Sequence, residues 1–314
     1  MSRLVGVLLA LAAAASLVPL GASAQSPPQP QIRVVDLMPA FFRAWDEGTG
    51  KPLEERLRLF KELVLRPNRA VYDYSEFQLD DPHLAWYFDD VAPLVPQMRG
   101  VTAQVNGSLP AAERRFTGAF PDLKPVTIYF MPSLLHFDGQ TRQGTLYFGV
   151  DSLAAYYGDR VNVPVLATHE LFHVYHFQVN PHTFGETGST HSAVWSQAWS
   201  EGLATYVSQR LNPGASRTDV LFSADLGALS DERIRALACA MEPKLGSSAE
   251  SDANPFFDAG RHPAGLPARG GYLVGLLVAA DAGRTRSLRE LALLNAADSE
   301  AQVRSGVHRL CAGG

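Results

Sequence analysis

Apolar positions along the first third of the chain recur at helical spacing. Leu53, Leu57, Phe60 and Val64 fall three or four residues apart behind Pro52, and Pro67 closes the run, which predicts an amphipathic helix. A second helical stretch is expected over roughly His83 to Met98, interrupted by Pro93 and Pro96, and a third after Pro110. The period then changes. Val126, Ile128 and Phe130 alternate with Thr127 and Tyr129, and Leu146, Phe148 and Val150 alternate with Thr145 and Tyr147, so two short strands are predicted, joined by a Gly-containing connection over 132–143. After Asp151 the pattern is helical again. Trp195, Trp199, Leu203, Tyr206 and Leu211 outline one helix, and "YLVGLLVAA" (272–280) reads as a buried core helix. Turn signals stand at Asn212-Pro213-Gly214, around 243–247 and across 255–271. The expected architecture is α+β: mostly helical, with a small sheet beside a histidine-rich helix.

The N-terminal residues read as an address label. Arg3 supplies a positive start, Leu4 to Val18 is almost wholly apolar, and Ala22-Ser23-Ala24 gives a small-x-small cleavage pattern. The apolar run is shorter than the roughly 20 residues that span a bilayer. The chain is therefore divided into a signal peptide (1–24), a Pro-rich linker (25–31), an N-terminal helical region (32–120) and a catalytic region (121–314). Export follows, to the periplasm or the medium, with no membrane span after cleavage. A formal net charge of −5 without basic clusters argues against nucleic acid and against anionic membrane surfaces as partners. Cys239 and Cys311 are the only cysteines. In an oxidising compartment one disulfide is their simplest use, two buried thiols being the alternative.

The stretch "VLATHELFHVYH" (165–176) carries the chemistry, because it contains His169-Glu170-Leu171-Phe172-His173. On a helix, positions i and i+4 lie about 40° apart, so both imidazoles can hold one ion, while Glu170 lies about 100° further round. There it can reach a metal-bound water as a general base without being a ligand. A third ligand is needed, and three residues compete. His176 shares the face of the pair, but three imidazoles within two turns do not readily converge, so it reads as packing or support. His182 lacks the spacing of the H-E-x-x-H-x-x-G-x-x-H class. Glu201, in "WSQAWSEGLATYVSQRL", remains. Ala198, Gly202 and Thr205 beside it are small, which would let its helix approach the motif helix closely, and a carboxylate on a buried helix face needs a partner such as a divalent ion.

"HELFH" followed 28 residues later by "EGLATY" resembles the gluzincin pattern of zinc metallopeptidases with two His and one Glu as ligands. More narrowly, "VTIYFMP", "GTLYFGVD", the motif helix, "EGLATY" and then "LPARGGYLVG" are similar to a family of zinc-dependent proteases described as a domain of unknown function. The resemblance covers roughly 125–281 and leaves the N-terminal helices unmatched. It implies a zincin-like fold, His169, His173 and Glu201 as Zn²⁺ ligands, Glu170 as base and Tyr272 as an electrophilic helper, with a peptide or protein as substrate. The gap between His173 and Glu201 is longer than in thermolysin-like enzymes.

A zinc with three protein ligands activates water and polarises a carbonyl, and a hydroxyl such as that of Tyr272 suits the oxyanion, with Arg269 or Arg261 as other donors. By analogy with zincin folds, "GTLYFG" is expected to receive substrate by strand addition, and 179–193 to form a rim over the cleft in which His182 and His191 are ordinary loop residues. Two other readings stay open: a zinc-containing binding module without catalysis, and a zinc hydrolase of a non-peptide or cell-wall amide.

Overall fold

Four short strands form one mixed sheet: β1 (Ile32–Asp36), β2 (Val126–Met131), β3 (Gly139–Arg142) and β4 (Thr145–Gly149). Their spatial order is β1-β2-β4-β3, with β1, β2 and β4 parallel and β3 antiparallel to β4. The computed structural model describes residues 31–313 apart from 74–76, 143, 182–192, 259–264 and the side chain of Asp159. The segment read as a signal peptide, the linker up to Pro30, His182, His191 and Arg261 lie outside the described residues.

Both predicted strands are present, and their alternation has a visible cause. Phe130 stacks on Phe148 at 5.0 Å between ring centroids, and both are buried. On the opposite side of the pleat Tyr129 stacks on Tyr147 at 5.3 Å. Two strands were not read from the pattern. The region 32–120 begins with β1 before turning helical, and Ile32 pairs with Val126, far along the chain. The connection 132–143 contains β3, whose residues "GQTR" carry no large apolar side chain; pairing with β4, Gly139 opposite Phe148 and Arg142 opposite Thr145, makes it a strand.

This topology corrects one expectation. β4 has hydrogen-bonded neighbours on both sides, so "GTLYFG" cannot accept a further strand. The sheet edge on that side is β3.

Loop 132–138, which delivers β3, is held by a residue the sequence did not single out. Asp151 is fully buried and accepts bonds from the Ser133 N–H (2.9 Å) and hydroxyl (2.7 Å), the Leu135 N–H (3.1 Å) and the Ser152 N–H (2.9 Å). These donors offset the desolvation of a carboxylate with no cation among them. They also hold Leu134 and Leu135 at φ of 56° and 62°, a left-handed region unfavourable to branched side chains.

Helices pack around the sheet as the apolar periodicity predicts. Leu53–Phe60 continues as a wider turn over Lys61–Leu65, ending before Pro67. Asp81–Val91 passes through a tight turn at the Pro93 position into Val95–Gly107, and Leu109–Ala119 follows with Pro110 in its first turn. Beyond β4 the motif helix is Val163–Val179, capped by the Asn162 side chain on Val165 N–H and carrying Pro164 in its first turn. It carries apolar residues around most of its circumference and is correspondingly buried, against Phe120 and against helix Val194–Leu211. "YLVGLLVAA" falls in helix Gly270–Ala282, which is buried along most of its length. Among the described residues no helix is long and apolar enough to cross a membrane.

Cys239, in helix Asp231–Met241, is bonded to Cys311 near the end of helix Ala296–Ala312, across 72 residues of chain. Closing a loop of that length stabilises by about 4 kcal/mol on a chain-entropy account. We expect the Cys239→Ser/Cys311→Ser double variant to melt lower by on the order of 10 °C, as followed by circular dichroism. An unchanged melting temperature would show that the bridge does not form in solution.

Candidate metal centre

Two helices running in opposite directions bring the predicted residues together. Ser208, one turn from the end of helix Val194–Leu211, donates its hydroxyl to Val165 O at 2.9 Å, and Asn212 donates to the Thr168 hydroxyl at 2.8 Å. These bonds pin the start of the motif helix to the end of its neighbour. At the other end, Ser200 Oγ lies 3.5 Å from His173 Nδ1 and helps set the orientation of that ring. Between the two anchor points, Glu201 faces His169 and His173.

The three side chains form a compact triangle. His169 Nε2 and His173 Nε2 are 3.1 Å apart, and Glu201 Oε2 lies 3.2 Å from the first and 3.3 Å from the second. Tetrahedral bonds of about 2.0–2.1 Å to a first-row divalent ion place neighbouring ligand atoms about 3.3 Å apart, so the donor triangle has the right edge. The residue types are also right, since two imidazoles and a carboxylate suit such an ion. His169 is buried and Glu201 is a quarter exposed, which leaves one side of the triangle open to the cleft. Among the described residues, this buried His-His-Glu group is the one cluster of its kind that could hold a metal ion.

Electrostatics reflect the same crowding. Burial alone would lower the imidazole of His173, but the Glu201 carboxylate beside it prevails and pushes it up to about 9. Burial would raise Glu201, and the charge of His173 with the hydrogen bonds of both imidazoles holds it well below the usual carboxylate range instead. A cation binding here therefore displaces a proton from His173. His176 does not join the triangle. Its ring packs 5.2 Å from Phe172, and burial, helped by the charge of His173, pushes it down to about 3, so it is neutral.

Glu170 and Tyr272 both line the cleft of about 170 Å³ that opens onto the triangle. The Glu170 carboxyl lies against β3 at Gly139, where even a methyl group would come within 3.8 Å of it. Tyr272 stacks on His169 with ring centroids 6.3 Å apart. Burial, reinforced by the Glu201 carboxylate, keeps its phenol protonated far above neutrality. Arg269 lines the same wall with its guanidinium 5.7 Å from the Tyr272 ring centre. Five lining residues were not foreseen: Asp138, Gly139, Tyr157, Leu166 and Phe222. Tyr157 donates to Asp138 Oδ2 at 3.1 Å, and burial followed by the Asp138 charge raises its phenol. Asp138 sits in the segment read as a plain connection, and no local signal marks Phe222.

Small residues beside Glu201 act differently from the expectation. Gly202 faces the third helix, not the motif helix: a Cβ on Gly202 would lie 2.1 Å from Gly275 C, and one on Gly275 would lie 2.1 Å from Ala198 O. Helices Val194–Leu211 and Gly270–Ala282 therefore cross backbone against backbone, one residue after Glu201 and three after Tyr272.

Comparison with family models, with curated proteins and with solved structures returns no match.

Proposed function

We propose that this protein is an exported zinc-dependent metallopeptidase of the gluzincin type, with a zincin-like arrangement of sheet and motif helix. The observation that carries the reading is the His169–His173–Glu201 triangle with Glu170 lining the same cleft. A purely structural ion has no use for a carboxylate held beside it as a base.

Bound zinc would supply an activated water at neutral pH and a Lewis acid for the substrate carbonyl. The remaining roles belong to the chain. Glu170 accepts the proton of the attacking water as its oxygen adds to the carbonyl carbon, then returns that proton to the nitrogen as the C–N bond breaks. Tyr272 donates its hydroxyl hydrogen bond to the developing oxyanion, with Arg269 on the same wall as the other donor. The outer edge of β3 offers main-chain groups alongside Glu170, so an extended peptide added there lies across the cleft. The leader read at 1–24 directs the product out of the cytoplasm.

Bound metal and chelator-sensitive cleavage of a peptide library test the reading directly. One zinc per chain with cleavage abolished by chelator and restored by zinc is expected. Stoichiometric zinc with no cleavage would favour a binding module, and cleavage confined to non-peptide amides would change the substrate class. Tyr272→Phe is expected to lower kcat by about 10²–10³-fold, the range for loss of one oxyanion donor, with zinc content unchanged. An unaltered kcat would move the donor role to Arg269.

A further inference from the structure

A cleft of about 170 Å³ holds the peptide group and a few waters but no large side chain beside them. Adjoining it is a second cavity of about 550 Å³, and the two share Tyr157 and Phe222 as a common wall. The second cavity in turn shares Arg160 and Asp219 with a third, of about 580 Å³, that continues between Arg115 and Pro213. The three cavities thus lie side by side as a trough divided by shared walls, with the metal cleft as its smallest compartment. We propose, on the peptidase reading above, that the second cavity is the side-chain subsite for a large apolar or aromatic residue of an extended peptide.

Its walls are chosen for that occupant. Tyr156, Tyr157 and Phe222 present three rings, with Tyr157 and Phe222 at 5.9 Å and Tyr156 and Tyr157 at 6.4 Å between centroids. Tyr156 is 63% exposed, an aromatic surface left to solvent at a cavity mouth. A further ring inserted there completes the edge and face contacts that aromatic groups prefer. The charges on the walls are of both signs, with Arg160 on one hand and Asp219 and Asp225 on the other, and Asp219 Oδ2 accepts from the Ser216 N–H and hydroxyl at 2.7 Å each.

Phe222 supplies a second, independent observation. It ends helix Arg217–Leu221 in the left-handed conformation, φ 50° and ψ 28°, where glycine is the residue usually found. A bulky side chain at positive φ is an outlier, and such outliers cluster at ligand sites. Its ring stands 6.3 Å from that of His169 and forms the threshold between metal cleft and cavity. The turn itself needs no side chain at this position; the ring packs on the core beside Tyr157 and His169, where it also lines both cavities.

The same feature makes the test clean, because Phe222→Gly removes the ring from a conformation glycine adopts freely. Tyr156→Ser is the second variant, at an exposed position. The probe is a pair of fluorescein-labelled, end-blocked decapeptides differing only in a central Phe or Ser. Binding is read by anisotropy to zinc-loaded Glu170→Gln protein, with and without each trough variant. The Phe peptide is expected to bind about tenfold or more tighter, as burial of one aromatic side chain implies, and both trough variants should erase most of the difference. Equal binding of the two peptides, or a preference that survives both variants, overturns the proposal. A separate arm scores cleavage of the same peptides by the protein with Glu170 intact. Phe preference without cleavage keeps the subsite and removes the peptidase reading; cleavage without preference does the reverse.

Discussion

Glu170→Gln is expected to retain one zinc per chain and to lose peptide cleavage by at least the 10²–10⁴-fold attributed to a positioned general base. The amide fills the volume of the carboxylate and keeps its place against Gly139 of β3. It has no free electron pair basic enough to accept a proton from water. Because Glu170 lies about 100° round the helix from His169, outside the donor triangle, its charge is not needed to hold the ion. Paired measurement of zinc by mass spectrometry and of turnover with a cleaved peptide checks both halves. Turnover that survives the substitution would remove Glu170 from the chemistry, and zinc lost along with it would make Glu170 part of the metal site.

Glu201→Ala should have the opposite signature, loss of the ion itself. The triangle keeps two neutral imidazoles 3.1 Å apart and loses its only anionic donor. Removing an outer partner of a metal ligand typically weakens binding about 10–100-fold, so loss of a ligand is expected to exceed that. The proton balance moves in the other direction. His173 is held near 9 by the Glu201 carboxylate, and without it burial lowers the imidazole, which makes proton competition weaker. The variant's zinc affinity is therefore expected to be both lower and less steeply dependent on pH between about 7 and 9. Competition against a chromophoric chelator at several pH values measures both. Unchanged affinity would strike Glu201 from the ligand set.

Much of this centre could be read from one dimension, and the reason is local. His169, Glu170 and His173 lie within one helical turn or so, and the apolar surroundings that make the stretch conspicuous also make it a buried helix. Glu201 was reachable because a carboxylate on a helix lined with Trp195, Trp199 and Leu203 needs a partner. What stayed hidden is what depends on distant pairing. β1 and β3 are too short or too polar to announce themselves, and only their partners Val126 and Phe148 make them strands. Assigning "GTLYFG" to the sheet edge failed for that reason, since an unseen β3 occupies the edge. Phe222 and Asp138 reach the cleft through the turn after Arg217–Leu221 and through a loop tied by Asp151, and neither geometry leaves a periodic trace. Gly202 was noticed for its size, but which helix it would admit is set by packing.

The contact between Gly202 and Gly275 has a mechanical consequence. With no side chain between the two backbones, that crossing acts as a pivot that can neither slide nor widen without a gap opening in the core. Glu201 and Tyr272 sit on opposite arms close to this pivot, so the carboxylate proposed to hold the ion and the phenol proposed to meet the substrate share one rigid hinge pin. Bulk introduced at either glycine would therefore disturb metal retention and oxyanion support in the same stroke.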